Sequence, residues 1–331
     1  MESAIETYGL TKRYNNNTIT AVDELDLTID YGEVFGLLGP NGAGKTTAIS
    51  MLCTIVKPSS GNASVNGFDI LKKPANVRRS IGIVFQDPSV DLNLTGRENL
   101  KLHAHLYDMP ASQIKARIDE VLALVGLEER ADSLMKTYSG GMRRRLELAR
   151  GLLHHPKILF LDEPTLGLDP QTREHIWTYI QGLSWGEKMT IILTTHYMDE
   201  AERLCHRVAI IDHGKIKVVD TPTSLKNALK GDVVSIVTGK PAELARQLTE
   251  MGLMSDKDFS KDLLRLTVKD AEKLVPKIIE VATGIGVEIS SISVHRPTLN
   301  DVFLHYTGRE MREDDAESIG SLYMRHAGRN R

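Results

Sequence analysis

The sequence is poor in cysteine and contains no long apolar run. Its two cysteines, Cys53 and Cys205, are too few among 331 residues for a disulfide framework, so we expect reduced thiols. No segment approaches the about 18 consecutive apolar residues of a membrane-spanning helix. The first residues lack the basic segment followed by an apolar one that marks a secretory signal. These absences predict a cytoplasmic protein that acts on a membrane only through a partner.

The sequence also lacks an excess of charge of either sign. Its 41 Lys and Arg residues nearly balance 44 Asp and Glu residues, which gives a net charge of -3 at pH 7. This balance gives no electrostatic reason to expect a nucleic-acid partner, and we predict none. The length of 331 residues fits one large domain and a smaller one.

One glycine-rich segment has the pattern of a phosphate-binding loop. Residues 39–46 fit G-x-x-x-x-G-K-[ST], between an apolar strand-like run at 34–38 and a helix-compatible segment at 47–56. Backbone N–H groups and the dipole of the following helix converge on a phosphate in such a loop. An ordinary glycine-rich turn needs neither Lys45 nor Thr46. The segment therefore predicts a nucleoside triphosphate site, with Lys45 near the β- and γ-phosphates and Thr46 on Mg²⁺.

Three further apolar runs end in polar residues. One precedes Gln86, one precedes Asp162 and Glu163, and one precedes His196. Carboxyl ends of parallel strands meet at one edge of a sheet, where ligands bind. We expect Asp162 to hold Mg²⁺ through its water shell and Glu163 to act on the attacking water.

A helical insertion separates two of these strands and carries a second glycine pair. Ser139, Gly140 and Gly141 precede a helix and form a potential anion site, although a helix cap with flexible glycines also explains the pattern. The three arginines at 143–145 are predicted to form a solvated face of that helix.

Taken together, residues 4 to about 220 resemble the ATP-binding subunits of ABC transporters. The signature stretch reads Tyr-Ser-Gly-Gly-Met at residues 138–142, where many members have Leu-Ser-Gly-Gly-Gln. The resemblance implies an α/β fold, a P-loop NTPase nucleotide-binding domain with a helical subdomain inserted at about residues 88–150.

The resemblance also implies a role for each motif residue. Tyr14 would stack on adenine, and His196 would hold the γ-phosphate and orient the general base Glu163, with Gln86 and Asp162 completing the Mg²⁺ and water shell. The signature residues Ser139, Gly140 and Gly141 would bind ATP held by a second subunit, and Asp169 would communicate across that interface. The residues implied to cradle the phosphates are Gly39, Pro40, Asn41, Gly42, Ala43, Gly44, Lys45, Thr46 and Thr47.

Beyond residue 231 the sequence is similar to the C-terminal portion of daunorubicin-resistance-type exporter subunits. Residues 297–304 and the following Thr307, Gly308 and Arg309 carry this similarity. We predict an ABC domain at 1–230, a small accessory α+β domain at 231–308, and a flexible tail at 309–331.

These observations predict a multidrug-type ABC exporter subunit that binds and hydrolyses ATP with Mg²⁺. It would form a homodimer, peripheral on the inner face of the cell membrane, with a separate transmembrane permease. A lipid or polysaccharide exporter, an importer and a soluble non-transport ABC ATPase stay open as alternatives. A small-molecule kinase would share the phosphate loop but would not need Ser139 or His196.

Overall fold

The computed structural model describes residues 3–15, 17–87, 89–229, 231–253, 258–268 and 271–308. Two compact units make up the chain, and the division falls after Val219. The sequence analysis placed this division after residue 230. It differs because the helix at 222–228 packs on the last helix of the second unit. Within the described residues, no helix is both long and apolar enough to cross a membrane.

Two sheets form the framework of the first unit. Their strands are β1 (Ser3–Tyr14), β2 (Ile19–Asp30), β3 (Val34–Leu38), β4 (Ser60–Val65), β5 (Phe68–Asp69), β6 (Ile81–Val84), β7 (Ile158–Asp162), β8 (Thr190–Thr195), β9 (Arg207–Asp212) and β10 (Lys215–Asp220). The first sheet has the order β2-β1-β4-β5 with antiparallel pairing, and the second has the order β10-β9-β3-β8-β7-β6.

Five neighbouring strands of the second sheet, β9, β3, β8, β7 and β6, run parallel. Every residue of β3, β7 and β8 is buried, which explains why these strands read as continuous apolar runs. Parallel pairing aligns Leu38 of β3 with Thr195 of β8, and Asp162 of β7 with Thr194 of β8. The loops that follow β3, β7 and β8 therefore leave the sheet at the same edge.

Seven α-helices lie among the described residues of the first unit. They are α1 (Lys45–Leu52), α2 (Pro74–Ser80), α3 (Gly96–Leu106), α4 (Ala111–Leu124), α5 (Gly140–Leu152), α6 (Pro170–Glu187) and α7 (Met198–Leu204). The predicted helical insertion corresponds to α3, α4 and α5. A capping box fixes the start of α3, where the Thr95 hydroxyl accepts from Glu98 N–H and the Glu98 carboxylate accepts from Thr95 N–H.

The second unit is a small antiparallel sheet with helices. Its elements are α8 (Pro222–Ala228), β11 (Asp232–Thr238), α9 (Pro241–Glu250), β12 (Asp258–Ser260), β13 (Leu263–Val268), α10 (Ala271–Gly284), β14 (Ile289–His295) and α11 (Leu299–Thr307). The strand order is β12-β13-β11-β14, and a separate apolar core lies between this sheet, α9 and α10. Pro276 lies inside α10. The predicted flexible tail at 309–331 lies outside the described residues.

Candidate functional site

A cavity of about 720 Å³ opens at the edge of the sheet where β3, β7 and β8 end. Residues from the loops after these strands line it together with the hairpin between β1 and β2. The lining residues are Tyr14, Ile19, Thr20, Ala21, Pro40, Asn41, Gly42, Gly44, Lys45, Thr46, Thr47, Ser50, Gln86, Glu163, Leu166, His196 and Tyr197. The cavity thus brings together the ends of four segments that the sequence predicted to meet.

Two glycines allow the phosphate loop its path. A Cβ at Gly39 would lie 2.3 Å from the carbonyl oxygen of Ile211, so no larger residue fits without a shift of the backbone. Gly44 has a φ of +106°, and a Cβ there would lie 2.3 Å from the carbonyl oxygen of Ala21. Because glycine occupies both positions, the loop can turn into α1, which begins at Lys45. The N-terminal N–H groups of α1 lie at the cavity.

Lys45 supplies a buried ammonium group at this loop. Its Nζ donates to the carbonyl oxygens of Gly39 at 2.7 Å and Pro40 at 3.1 Å. It also lies 3.2 Å from Oε1 of Glu163. Burial lowers the pKa of Lys45 from its ordinary value, and the Glu163 carboxylate opposes that shift. Phosphate oxygens entering the cavity would compete with these carbonyl and carboxylate oxygens for the ammonium.

A pair of oxygen ligands suited to Mg²⁺ lies beside the loop. Thr46 Oγ1 donates to Asp162 Oδ1 at 3.2 Å, and Thr194 Oγ1 donates to the same oxygen. Burial raises the pKa of Asp162, and these two hydrogen bonds oppose the shift. Hydroxyl, carboxylate and amide oxygens, the last from Gln86 at the cavity wall, are the donors that Mg²⁺ takes together with waters and phosphates. The residues present therefore fit this ion.

The Glu163 carboxylate lies between two basic groups. Lys45 Nζ is 3.2 Å from one carboxylate oxygen, and His196 Nδ1 is 3.3 Å from the other without the alignment of a hydrogen bond. Burial acts to raise the pKa of Glu163, but His196 and Lys45 outweigh it and hold this pKa below its ordinary value. The carboxylate is therefore ionised at neutral pH and available to accept a proton.

Tyr14 also lines this cavity. It pairs with Ile19 across the β1–β2 hairpin, which brings Ile19, Thr20 and Ala21 into the wall. Lys12 Nζ lies 5.0 Å from the centre of the Tyr14 ring. The sequence analysis named Tyr14 but missed its three hairpin neighbours, together with Leu166 and Tyr197. The hairpin residues could have been predicted, because Tyr14 lies only a few residues before the next strand in the sequence.

The signature residues and Asp169 do not line this cavity. Ser139 caps α5 by accepting from Met142 N–H, and both Ser139 and Gly140 are exposed. Asp169 caps α6 by accepting from the N–H and hydroxyl of Thr172. A Cβ at Gly141 would lie 2.4 Å from Thr172 Cγ2, so the first turns of α5 and α6 are in contact. The signature therefore forms a separate, accessible helix start.

The prediction of a solvated arginine face on α5 was wrong for Arg144. This side chain is 8% exposed, because the turn of the helix directs it toward the ends of β6 and β7 while Arg145 bonds within the helical insertion.

Two family models match separate parts of this chain. The family model described as ABC transporter matches residues 22–166, and that of the ATP-binding protein DrrA1-3-like C-terminal domain matches residues 221–307. The chain is 37% identical to the daunorubicin resistance ATP-binding protein DrrA2 of Streptomyces coeruleorubidus, over 95% of this chain and 98% of the relative. It is 39% identical to the Nod factor export ATP-binding protein I of Burkholderia thailandensis, over 93% and 98% respectively.

Solved structures include a dimeric ATP-binding cassette in a post-hydrolysis state, bound to ADP and Pi. It is 27% identical to this chain with a TM-score of 0.60, over 66% of this chain and 98% of that structure.

Proposed function

The chain belongs to the ATP-binding subunits of ABC transporters and hydrolyses ATP as the ATPase subunit of an exporter, and we propose that it does so as a homodimer with Mg²⁺ beside a separate membrane permease. The observation that carries the proposal is that the cavity contains some of the motif residues but not the signature. Lys45, Glu163 and His196 converge in one cavity, whereas Ser139 lies outside it and is exposed. A site that needs all four residues is completed by the signature of a second chain.

Nucleotide binding uses the loop and the hairpin. The phosphates occupy the segment from Gly39 to Thr47, where backbone N–H groups and the Lys45 ammonium face them. Tyr14 stacks on the adenine. Thr46, Gln86 and Asp162 would hold Mg²⁺, which when bound would neutralise part of the charge of the phosphates.

The chemistry is the transfer of the γ-phosphoryl group to water. Glu163 accepts a proton from the water while the oxygen of that water bonds to the γ-phosphorus. The bond from the γ-phosphorus to the bridging oxygen breaks, which leaves ADP and phosphate. His196 contacts the γ-phosphate and holds Glu163 in place. The ion pair between Lys45 and Glu163 gives way when ATP enters, because the phosphates compete for the ammonium. Binding thereby frees the carboxylate for the water.

In the homodimer, each ATP lies between the phosphate loop of one chain and Ser139, Gly140 and Gly141 of the other. The exposed N-terminus of α5 faces the γ-phosphate, and Asp169 at the adjoining start of α6 lies at the same interface. A two-fold axis gives two such sites. Hydrolysis removes the shared γ-phosphate, so the dimer loosens and this motion drives the permease. The dimeric state of the similar ADP-bound cassette supports this arrangement.

We place the protein in the cytoplasm, peripheral on the inner face of the membrane, held there by the permease. The cargo we propose is a drug or another amphipathic molecule, because relatives that align over nearly the whole chain are named for daunorubicin resistance and Nod factor export. Deleting the chain in its host should lower resistance to such compounds, and restoring it with Glu163→Gln should not recover that resistance.

The experiment that tests the proposed chemistry separates binding from hydrolysis. Glu163→Gln keeps the shape of the side chain but removes the proton acceptor, so turnover should fall by about 10²–10⁴-fold while ATP still binds. Glu174→Gln is the matched control, because Glu174 lies on α6 and, within the part of the chain that the structure describes, pairs with Arg203 at the surface. Hydrolysis by Glu163→Gln at the rate of the Glu174→Gln control would exclude Glu163 as the base.

A further inference from the structure

The guanidinium of Arg144 is buried between α5 and the ends of β6 and β7. Each of its five N–H groups has an acceptor, which is the full capacity of an arginine. The acceptors are the carbonyl oxygens of Pro164 (2.7 Å from Nε), Phe85 (2.5 Å from Nη1), Asp162 (3.0 Å from Nη2) and Glu163 (3.0 Å from Nη2), and Oε2 of Glu147 (3.2 Å from Nη1). Because a planar group with five bonds has one orientation here, Arg144 is a rigid link rather than a surface charge.

The backbone acceptors of this link belong to the segments that carry the proposed chemistry. Three consecutive carbonyls, those of Asp162, Glu163 and Pro164, bond to Arg144 on one side. The fourth carbonyl, that of Phe85, precedes Gln86. One side chain of α5 therefore fixes the backbone at the Mg²⁺ ligand, at the base and beside the glutamine.

Glu163 has a backbone conformation that needs such support. Its φ is +46°, in the left-handed region, which is unfavourable for a residue with a Cβ. The N–H of Glu163 is held by the carbonyl and hydroxyl oxygens of Thr194 on β8, and its carbonyl is held by Arg144. These two anchors determine the direction of the Glu163 side chain toward Lys45 and His196.

Two further buried charges on the same face of α5 extend the link to the loop after Gln86. Glu147 Oε1 accepts from Ser89 N–H at 2.7 Å, and Arg150 Nη1 donates to the carbonyl oxygen of Ser89 at 3.1 Å. Arg144, Glu147 and Arg150 are spaced three residues apart, which places them on one side of the helix.

We propose that Arg144 is a positioning residue for ATP hydrolysis, which holds the backbone of Glu163 so that its carboxylate meets the attacking water. This inference rests on the proposed role of Glu163 as the base. Arg144 does not line the cavity, so we expect it to act mainly on turnover through Glu163 and much less on nucleotide affinity.

The experiment compares Arg144→Met with Arg145→Met. Both remove an arginine from the same helix, but among the described residues the bonds of the Arg145 side chain go to the carbonyls of Val125 and Gly126 in the helical insertion. Arg144→Met should lower kcat about 10²-fold, the effect of a misplaced catalytic group, while ATP affinity stays within about 2-fold of wild type. Arg145→Met should leave both quantities at wild-type values.

A double-mutant cycle then distinguishes positioning from a general loss of structure. In a Glu163→Gln background the base is already absent, so Arg144→Met should reduce the residual hydrolysis by less than about 3-fold. A reduction of about 10²-fold in both backgrounds would overturn the proposal, and so would a loss of ATP affinity as large as the loss of kcat.

Arg144→Lys provides the second variant, in case the methionine variant does not fold. Lysine keeps the charge opposite Glu147, but its three N–H groups lie on a single nitrogen and cannot reach all five acceptors. The kcat of Arg144→Lys should therefore be intermediate between those of the Met variant and wild type. If the Met variant is unfolded, the cycle is run with Arg144→Lys, and a loss of kcat that is equally large with and without Glu163→Gln would overturn the proposal. If Glu163→Gln alone does not slow hydrolysis, the proposed function of Glu163 has failed, irrespective of Arg144.

Discussion

Replacing Lys45 with alanine removes the ammonium group from the centre of the candidate site. In the structure this group donates to two backbone carbonyls of the phosphate loop and pairs with Glu163. Lys45 is 4% exposed and is the only lysine or arginine among the residues that line the described cavity. The variant therefore leaves four phosphate charges without a permanent side-chain cation and leaves Glu163 facing them.

The expected loss of ATP affinity follows from these contacts. A hydrogen bond between an ammonium and a charged oxygen contributes about 1.5–3 kcal/mol, and two to the phosphates are expected. The wild-type protein gives up its two carbonyl bonds and the pair with Glu163 to make them, which offsets part of the gain. A net loss of about 3 kcal/mol remains, which corresponds to about 10²-fold in Kd.

Calorimetric titration of ATP with Mg²⁺ measures this loss directly, and a thermal shift gives an independent value. At an ATP concentration about 100 times the wild-type Kd, wild type should gain about 2.7 kcal/mol of stability and Lys45→Ala only about 0.4 kcal/mol. Lys157→Ala, at an exposed position before β7, should bind as wild type does. A folded Lys45→Ala protein with wild-type affinity would refute the assignment of this loop to the phosphates.

Three further predictions concern the stacking of Tyr14 on adenine, the stability of the protein in acid and the division of the chain. Tyr14→Ala should weaken ATP binding by about 1–3 kcal/mol while Tyr14→Phe keeps the ring and the affinity, as titration would show; equal losses in both variants would contradict stacking. Burial, Arg150 and His154 lower the pKa of His103 to about 4, so neutral His103 favours the folded state above the unfolded-chain pKa of about 6.5, and this contribution is lost as the pH falls from there toward 4. When the pH falls from 7 to 5, the free energy of unfolding of wild type should decrease by about 1 kcal/mol more than that of His103→Gln, with the partial exposure of His103 taken into account. Equal decreases in urea titrations of the two proteins would contradict this. A chain ending at Val219 should bind ATP with the affinity of the full chain, because every residue lining the cavity precedes that position.

The edge of the sheet that carries the candidate site was predictable from the sequence because its strands are buried on both faces. Such strands appear as continuous apolar runs, and parallel pairing obliges their carboxyl ends to meet. The polar residues that follow them, Lys45, Glu163 and His196, could thus be brought together without knowledge of the packing. The glycine pattern added the phosphate loop, since Gly39 and Gly44 occupy positions that a Cβ would obstruct.

The burial of Arg144 was not predictable from the run of three arginines. Adjacent residues on a helix point about 100° apart, so the run itself does not tell which arginine faces the sheet. The available signal was the spacing of Arg144, Glu147 and Arg150 within a helix whose other residues are largely apolar. The division after Val219 was missed for a similar reason, because the placement of α8 depends on its packing against α11.

The central claim is that two chains share each ATP, and the mass of Glu163→Gln in solution tests it most directly. This variant retains bound ATP because the base is absent, so light scattering with ATP and Mg²⁺ should give twice the 36.8 kDa of one chain. Adding Ser139→Arg should return the mass to that of one chain while ATP binding persists, because the large side chain blocks the signature without altering the phosphate loop. A Glu163→Gln protein that binds ATP to saturation yet keeps the mass of a single chain would contradict the shared site.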